Sequence, residues 1–238
     1  MNDPLSARKK MLREHVRSML AVGQEDPALP IPGFKAVGKA AERLRALPLY
    51  QAADTVFAAP DQVLAQVRLN ILTDGKKLIT ATPGLSHGFV QFDPRHLTFK
   101  QRLTAIRSST LYRGRPLPPE ALPGLNLEVL VTGSVAVDAK GRRLGDGTGL
   151  FDAEFTLFSL TGSLHANVRV ITLIHPSQLV DEVPAEQGDV PVDFIVTPDG
   201  ILACRRLDTT GSPTMFDARS RPLPRCLGRY TGGIARST

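Results

Sequence analysis

An α/β fold built around a parallel sheet is what the sequence predicts. Short apolar runs alternate with helix-length amphipathic runs through the first half of the chain, the βαβ rhythm of a parallel sheet. The valine-rich run 127–137 lacks polar alternation, so it reads as a strand buried on both faces. A glycine-rich loop then separates that strand from an apolar helical signal carried by Phe155, Leu157, Phe158 and Leu160. With 238 residues and 42% hydrophobic content, there is material for one sizeable core.

The first helix is expected over residues 5–22, where Leu5, Leu12, Val16, Met19 and Leu20 share one arc. Lys9, Arg13 and Arg17 form an i, i+4 ladder on its edge, which either faces a cleft or lies on the surface as a solvated basic stripe. Pro27, Pro30 and Pro32 interrupt the chain before a second helix, 34–47, ended by Pro48. A strand at 55–59, a helix at 61–72 and a strand at 77–82 follow, with Pro60-Asp61 and Asp74-Gly75 as the helix boundaries. The pattern weakens over 83–125, where loops and one helix are expected to cover the mouth of a site, with His87 and His96 as loop residues. Beyond the 127–137 strand, residues 168–174 and 192–197 read as strands, and Leu179 opens a short helix or turn between them. After Asp208 the chain is rich in Gly, Pro and Ser, and Arg219, Arg221, Arg225, Arg229 and Arg236 face the single acid Asp217. The expected division is therefore an α/β domain over 1–208 and a basic Gly/Pro/Arg-rich tail over 209–238.

Cys204 and Cys226 are too few for a disulfide framework and lack the spacing of a zinc site. Arg8, Lys9, Lys10, Arg13, Glu14 and Arg17 occupy the place of a secretory apolar run, and no later stretch has the length of a membrane span, so a cytoplasmic protein is expected. A net charge of +6 fits an anionic ligand: a nucleotide, a polyglutamylated small molecule or nucleic acid.

The stretch 141–152 carries the most chemistry. Gly145, Gly147 and Gly149 between a strand and a helix aim backbone N–H groups at one point, where the helix dipole also favours an anion. Arg142 and Arg143 would add charge-assisted hydrogen bonds to phosphate oxygens. The loop fits neither the P-loop nor the GxGxxG spacing, and a tight turn with a solvated basic edge is the alternative. Asp152 reads as a helix N-cap and Asp189 as a turn residue if neither holds a ligand. His165 and His175 have no carboxylate partner visible in the sequence and read as hydrogen-bonded structural residues.

Four motifs in order carry a family resemblance. Asp138-x-x-Gly141, the run Arg143-Leu144-Gly145-x-Gly147-x-Gly149 and Asp152 resemble the signature of 5-formyltetrahydrofolate cyclo-ligases. Lys9-x-x-Leu12-Arg13, Leu47-Pro48-Leu49-Tyr50 and the closing segment 183–197 are similar to the family's other motifs. Ile31-Pro32-Gly33-Phe34-Lys35, Thr80-Ala81-Thr82-Pro83 and residues 131–137 resemble its divergent branch, the methenyltetrahydrofolate synthetase domain-containing proteins. Some relatives in that branch append an RNA-recognition domain, for which this chain has no room.

The resemblance implies an open, mostly parallel sheet with helices on both faces, a Rossmann-like three-layer arrangement. It implies ATP- and Mg²⁺-dependent conversion of 5-formyltetrahydrofolate to 5,10-methenyltetrahydrofolate with release of ADP and phosphate. Carried over by motif, Lys9, Arg13, Arg143, Gly145, Gly147 and Gly149 would hold ATP, and Asp152 and Asp189 would hold Mg²⁺. Leu150 and Phe151 would meet the folate where the family has two tyrosines, and no residue is assigned as catalytic. Asp146 replaces a basic residue of the motif and Ala153 an arginine, while Asp61 is nearest to the place of a folate-contacting glutamate without matching it. The expected partners are a nucleotide and a reduced folate or related small molecule, with no membrane. Nucleic acid stays a minor alternative, through the basic tail. The rival reading keeps the fold as a nucleotide- or phosphate-binding protein with no cyclo-ligase activity or with a different substrate.

Overall fold

The computed structural model describes residues 4–21, 29–105, 107–204 and 230. The chain opens with α1 (Pro4–Ala21), then α2 (Val37–Arg45) and α3 (Pro48–Ala52), followed by β1 (Thr55–Ala58), α4 (Ala65–Thr73) and β2 (Lys77–Ala81). Two short strands, β3 (Phe89–Phe92) and β4 (Arg115–Leu117), flank α5 (Phe99–Arg102). Then come β5 (Leu127–Gly133), β6 (Ala136–Asp138), β7 (Arg143–Leu144), α6 (Leu150–Leu160), β8 (Leu164–Leu173), β9 (Leu179–Val180), β10 (Phe194–Val196) and β11 (Ile201–Ala203).

Among the described residues, eight strands form one sheet in the order β11-β10-β8-β5-β1-β2-β3-β4. The five central strands run parallel, and β11 at one edge and β3 and β4 at the other are antiparallel. From β1 the chain steps outward to β2, and from β5 it steps the opposite way to β8 and β10. Right-handed crossovers therefore place α4 and α6 on opposite faces, giving three layers. Side-chain alternation agrees: Phe57 of β1 meets Phe151 and Phe158 of α6 at 6.5 and 5.3 Å between ring centroids. The reversal also leaves a crevice between the carboxyl ends of β1 and β5, where ligands of open α/β sheets bind.

Several boundaries differ from those the sequence predicts, each for a local reason. The apolar run 127–137 is two strands in two sheets: β5 ends at Gly133, and β6 joins a small sheet with β7 and β9. At the break, Gln178 Nε2 donates to the carbonyls of Ser134 and Val135 at 2.7 and 3.2 Å, replacing the ladder bonds the strand loses there. The second helix is split by Pro48 into α2 and α3, and Tyr50 and Arg45 both bond Asp74, tying this helical pair to the end of α4. Within 83–125 the structure adds β3 and β4 to the expected loops, and Leu179 belongs to the strand β9 rather than to a helix. The strand predicted at 168–174 begins earlier, at Leu164.

Most of the stretch 209–238, expected as a tail, lies outside the described residues. Tyr230 is the exception. It is buried, with its hydroxyl accepting the N–H of Phe89 at 3.2 Å and donating to the carbonyl of Leu117 at 3.1 Å. Gly88 makes room for it, because a Cβ there would collide with the Tyr230 hydroxyl.

Candidate functional site

A pocket lies over the crevice between β1 and β5. Ala59, Pro60 and Asp61 after β1, Thr132 and Gly133 at the end of β5, and the loop 144–149 line it, with Lys9 and Arg13 entering from α1. The cleft-facing reading of the basic ladder therefore holds for two of its three residues. Arg17 instead donates to the carbonyl of Pro30 at 2.8 Å.

Lys9 is only 5% exposed, and its ammonium sits 2.8 Å from Glu186 and 2.6 Å from Asp189. The same Asp189 oxygen accepts the N–H of Glu186 at 2.9 Å. Asp189 is thus both a turn residue and a counter-charge. Arg13 donates from Nε to the carbonyl of Gly145 at 2.8 Å, so α1 holds the start of the glycine loop. Gly147, at φ +106°, lies against the Arg13 guanidinium, where a Cβ would come within 3.4 Å of Cζ.

Arg142 and Arg143 part company. Arg142 is committed to Asp138 at 2.6 Å and Glu182 at 3.2 Å and does not line the pocket, which corrects the expectation that both arginines face a phosphate. Arg143 does line it. It donates to Asp152 at 3.0 Å, and its Cζ lies 4.8 Å from the Phe151 ring centroid. Its Nε is buried with no partner among the described residues. A buried N–H of a cation left unsatisfied is costly, and an anion is the natural acceptor for it.

The N-cap of α6 is Gly149, at φ 69°, not Asp152. Asp152 sits in the first turn, where one carboxylate oxygen accepts both Arg143 and the N–H of Val190, the latter at 3.0 Å. Val190 follows Asp189, so the two acids proposed by motif come together on one wall. Leu150 and Phe151 also line the pocket, with Phe151 wedged between the Arg143 guanidinium and Phe57. Asp146 accepts the N–H and hydroxyl of Thr148 at 2.9 and 2.7 Å, which stiffens the loop. His165 and His175 stay out of the pocket. Each accepts a backbone N–H two residues on, and His175 packs 6.0 Å from the Phe34 ring.

Sequence reasoning missed three residues on the far wall. Glu154 and Asp61 both line the pocket. Asp61 accepts the Gly133 N–H at 3.1 Å, and Arg68, fully buried, donates to the carbonyls of Ala59, Asp61 and Ala105 at 2.7 to 2.8 Å. Burial lowers the Arg68 guanidinium to about 10, an effect that the nearby Asp61 charge opposes. Burial pushes the Asp61 and Glu154 carboxyls above the ordinary carboxylate range, and the acids around each, including Asp146, push the same way. The available signal was the placement of Glu154 inside an otherwise apolar helix, Phe151 to Phe158.

Fold and pocket together define an open α/β protein with a basic, glycine-walled crevice at the point where strand order reverses. A model of the 5-formyltetrahydrofolate cyclo-ligase family matches residues 5–198, and the chain belongs to that family. It is 33% identical over 186 residues to a methenyltetrahydrofolate synthase domain-containing protein of Mus musculus, covering 76% of this chain and 50% of that one. It is 35% identical over 82 residues to the 5-formyltetrahydrofolate cyclo-ligase of Escherichia coli K12, covering 34% of this chain and 42% of that one. The chain thus spans about half the length of the relatives it matches best in sequence. The NMR structure of Aquifex aeolicus 5,10-methenyltetrahydrofolate synthetase shares the fold, with a TM-score of 0.54 at 19% identity over 86% of this chain and 95% of that one.

Proposed function

We propose that this chain is a cytoplasmic ATP- and Mg²⁺-dependent ligase that converts 5-formyltetrahydrofolate to 5,10-methenyltetrahydrofolate, releasing ADP and phosphate. The observation that carries this reading is the convergence of Lys9, Arg13, Arg143 and the glycine loop on the crevice between β1 and β5 in a chain of the cyclo-ligase family. The formyl oxygen of the substrate is a poor leaving group. Phosphoryl transfer from ATP to that oxygen makes it a good one, so that the neighbouring folate nitrogen attacks the formyl carbon and the C–O bond to phosphate breaks.

The protein's part is positioning and charge. Arg143, with its orphaned Nε, and the amides of Gly145, Gly147 and Gly149 would hold the phosphates, and Arg13 would fix the loop that presents those amides. Asp152 and Asp189 fit Mg²⁺, which commonly takes one or two carboxylates together with phosphate oxygens and water, and no larger metal-ligating group occurs among the described residues. Bound there, the ion would neutralise phosphate oxygens and orient them. Lys9, held between Glu186 and Asp189, would keep Asp189 in place and move toward the phosphates as they enter. Leu150 and Phe151 offer apolar packing to the folate without the hydroxyls of the family motif.

A second reading is a nucleotide- or phosphate-binding protein that does not cyclise. Leu150 and Phe151 favour it, as does Asp146, an acid beside the proposed phosphates. Absorbance of methenyltetrahydrofolate formed from 5-formyltetrahydrofolate and MgATP decides between the two. Turnover that is lost in Asp152→Ala supports the ligase. No turnover at high enzyme concentration, with nucleotide still bound, supports the second reading.

A further inference from the structure

The wall of the pocket opposite Lys9 and Asp189 carries two carboxyls that phosphate binding does not use. Glu154 lies in the second turn of α6 and is only 2% exposed. It lines the pocket, and no hydrogen-bond donor reaches its carboxyl among the described residues. Asp61 lines the same wall, and its carboxylate accepts the Gly133 N–H. Every other buried charge of the pocket is answered within the protein: Lys9 by Glu186 and Asp189, Arg143 and Asp152 by each other.

A buried carboxyl without a donor is costly unless something else brings the donor. The groups nearest in charge are Asp61, Arg143, Asp152 and Asp146, three of them acids, and the one cation is engaged with Asp152. A metal ion is a poor candidate, since no three metal-ligating side chains converge among the described residues. An anion would be repelled. The remaining occupant is a group that carries its own N–H donors and a share of positive charge. Ile31, Leu85 and Phe151 supply apolar surface around the acids, which suits a flat ring.

We propose that Glu154 and Asp61 form a subsite for a planar nitrogen group of the amidine type, whose paired N–H bonds match a carboxylate edge. The subsite gives the pocket two poles, one for phosphate and one for an N–H-rich ring. It rests on the reading that this pocket is the ligand site, and it is independent of turnover.

Benzamidine is the probe, with benzoate as its anionic isostere, and ligand-observed NMR on the full chain is the readout. Wild type binds benzamidine saturably, and Glu154→Gln, which keeps the shape and removes the charge, weakens that binding at least tenfold while leaving benzoate unchanged or tighter. Asp61→Asn weakens it in the same direction. Equal benzamidine affinity in wild type and Glu154→Gln overturns the subsite, and so does undetectable benzamidine binding to wild type. Unchanged thermal unfolding of Glu154→Gln shows that the loss is local. Benzamidine binding without folate turnover removes the ligase reading alone, and turnover without benzamidine binding removes the subsite alone.

Discussion

On the wall of the pocket built by α1 and the loop before β10, each buried charge meets its opposite, whereas on the wall at the end of β1 two acids share one backbone donor. The contrast is sharpest within α6. Asp152 and Glu154 are two residues apart and nearly equally buried, at 6% and 2% exposure. Asp152 accepts a guanidinium and a backbone N–H, and Glu154 accepts nothing among the described residues. Burial alone therefore does not distinguish a structural acid from a ligand-seeking one. The partner list does.

The largest way to break the comparison is to remove Arg68, which braces the acid-rich wall from behind. Arg68→Leu leaves the carbonyls of Ala59, Asp61 and Ala105 without their buried donor, and we expect a loss of about 4 kcal/mol in urea unfolding. Substitution of the two α6 acids sharpens it. Asp152→Asn uncovers the charge of Arg143 and should cost about 2 kcal/mol, whereas Glu154→Gln should be neutral or stabilising, because it deletes a charge that the protein does not pair. If the two variants lose equal stability, the walls are not different in the way described.

The same contrast sets a pH dependence. Asp61 and Glu154 titrate above their unfolded values, so the folded protein retains protons that the unfolded chain has released. Their contribution is intact below the ordinary carboxylate range and is lost as pH rises through that range toward the raised values. Thermal melts should show stability falling with pH over this window, and Glu154→Gln should flatten the fall. Smaller still, Gly147→Ala forces a side chain into φ +106° beside Arg13 and should cost about 1 kcal/mol together with weaker nucleotide binding. The smallest effect lies outside both walls. Burial, followed by the charges of Asp193 and Asp138, pushes the Cys204 thiol up to about 12, so mapped alkylation at pH 8 should find it slow until the protein is unfolded.

Legibility in the sequence divides along similar lines. Lys9 and Arg13 were visible because helical spacing puts them on one edge, and the glycine loop was visible because positive φ at Gly147 and Gly149 needs that residue. The central strands were visible as apolar runs. β3 and β4 were not, because three- and four-residue edge strands amid prolines carry no period. The split of 127–137 was hidden since it depends on Gln178, more than forty residues away. For Glu154 the letter is legible but the lack of a partner is not, because it follows from which donors the fold brings near. Arg142 and Arg143 look alike in sequence, and a single turn anchored on Asp138 sends them to different neighbours.

Tyr230 bears on where the folded unit stops. All eleven strands end by residue 203, yet the N–H of Phe89 and the carbonyl of Leu117 are answered by a phenol far beyond that point. Phe89 in turn packs on Phe158 of α6 at 4.7 Å, beside the pocket. A chain cut after its last strand would keep the whole sheet and still open a hole in its core at Gly88. The sheet is thus a poor guide to the shortest stable fragment, and trimming or tagging upstream of residue 230 would be felt at the edge strands first.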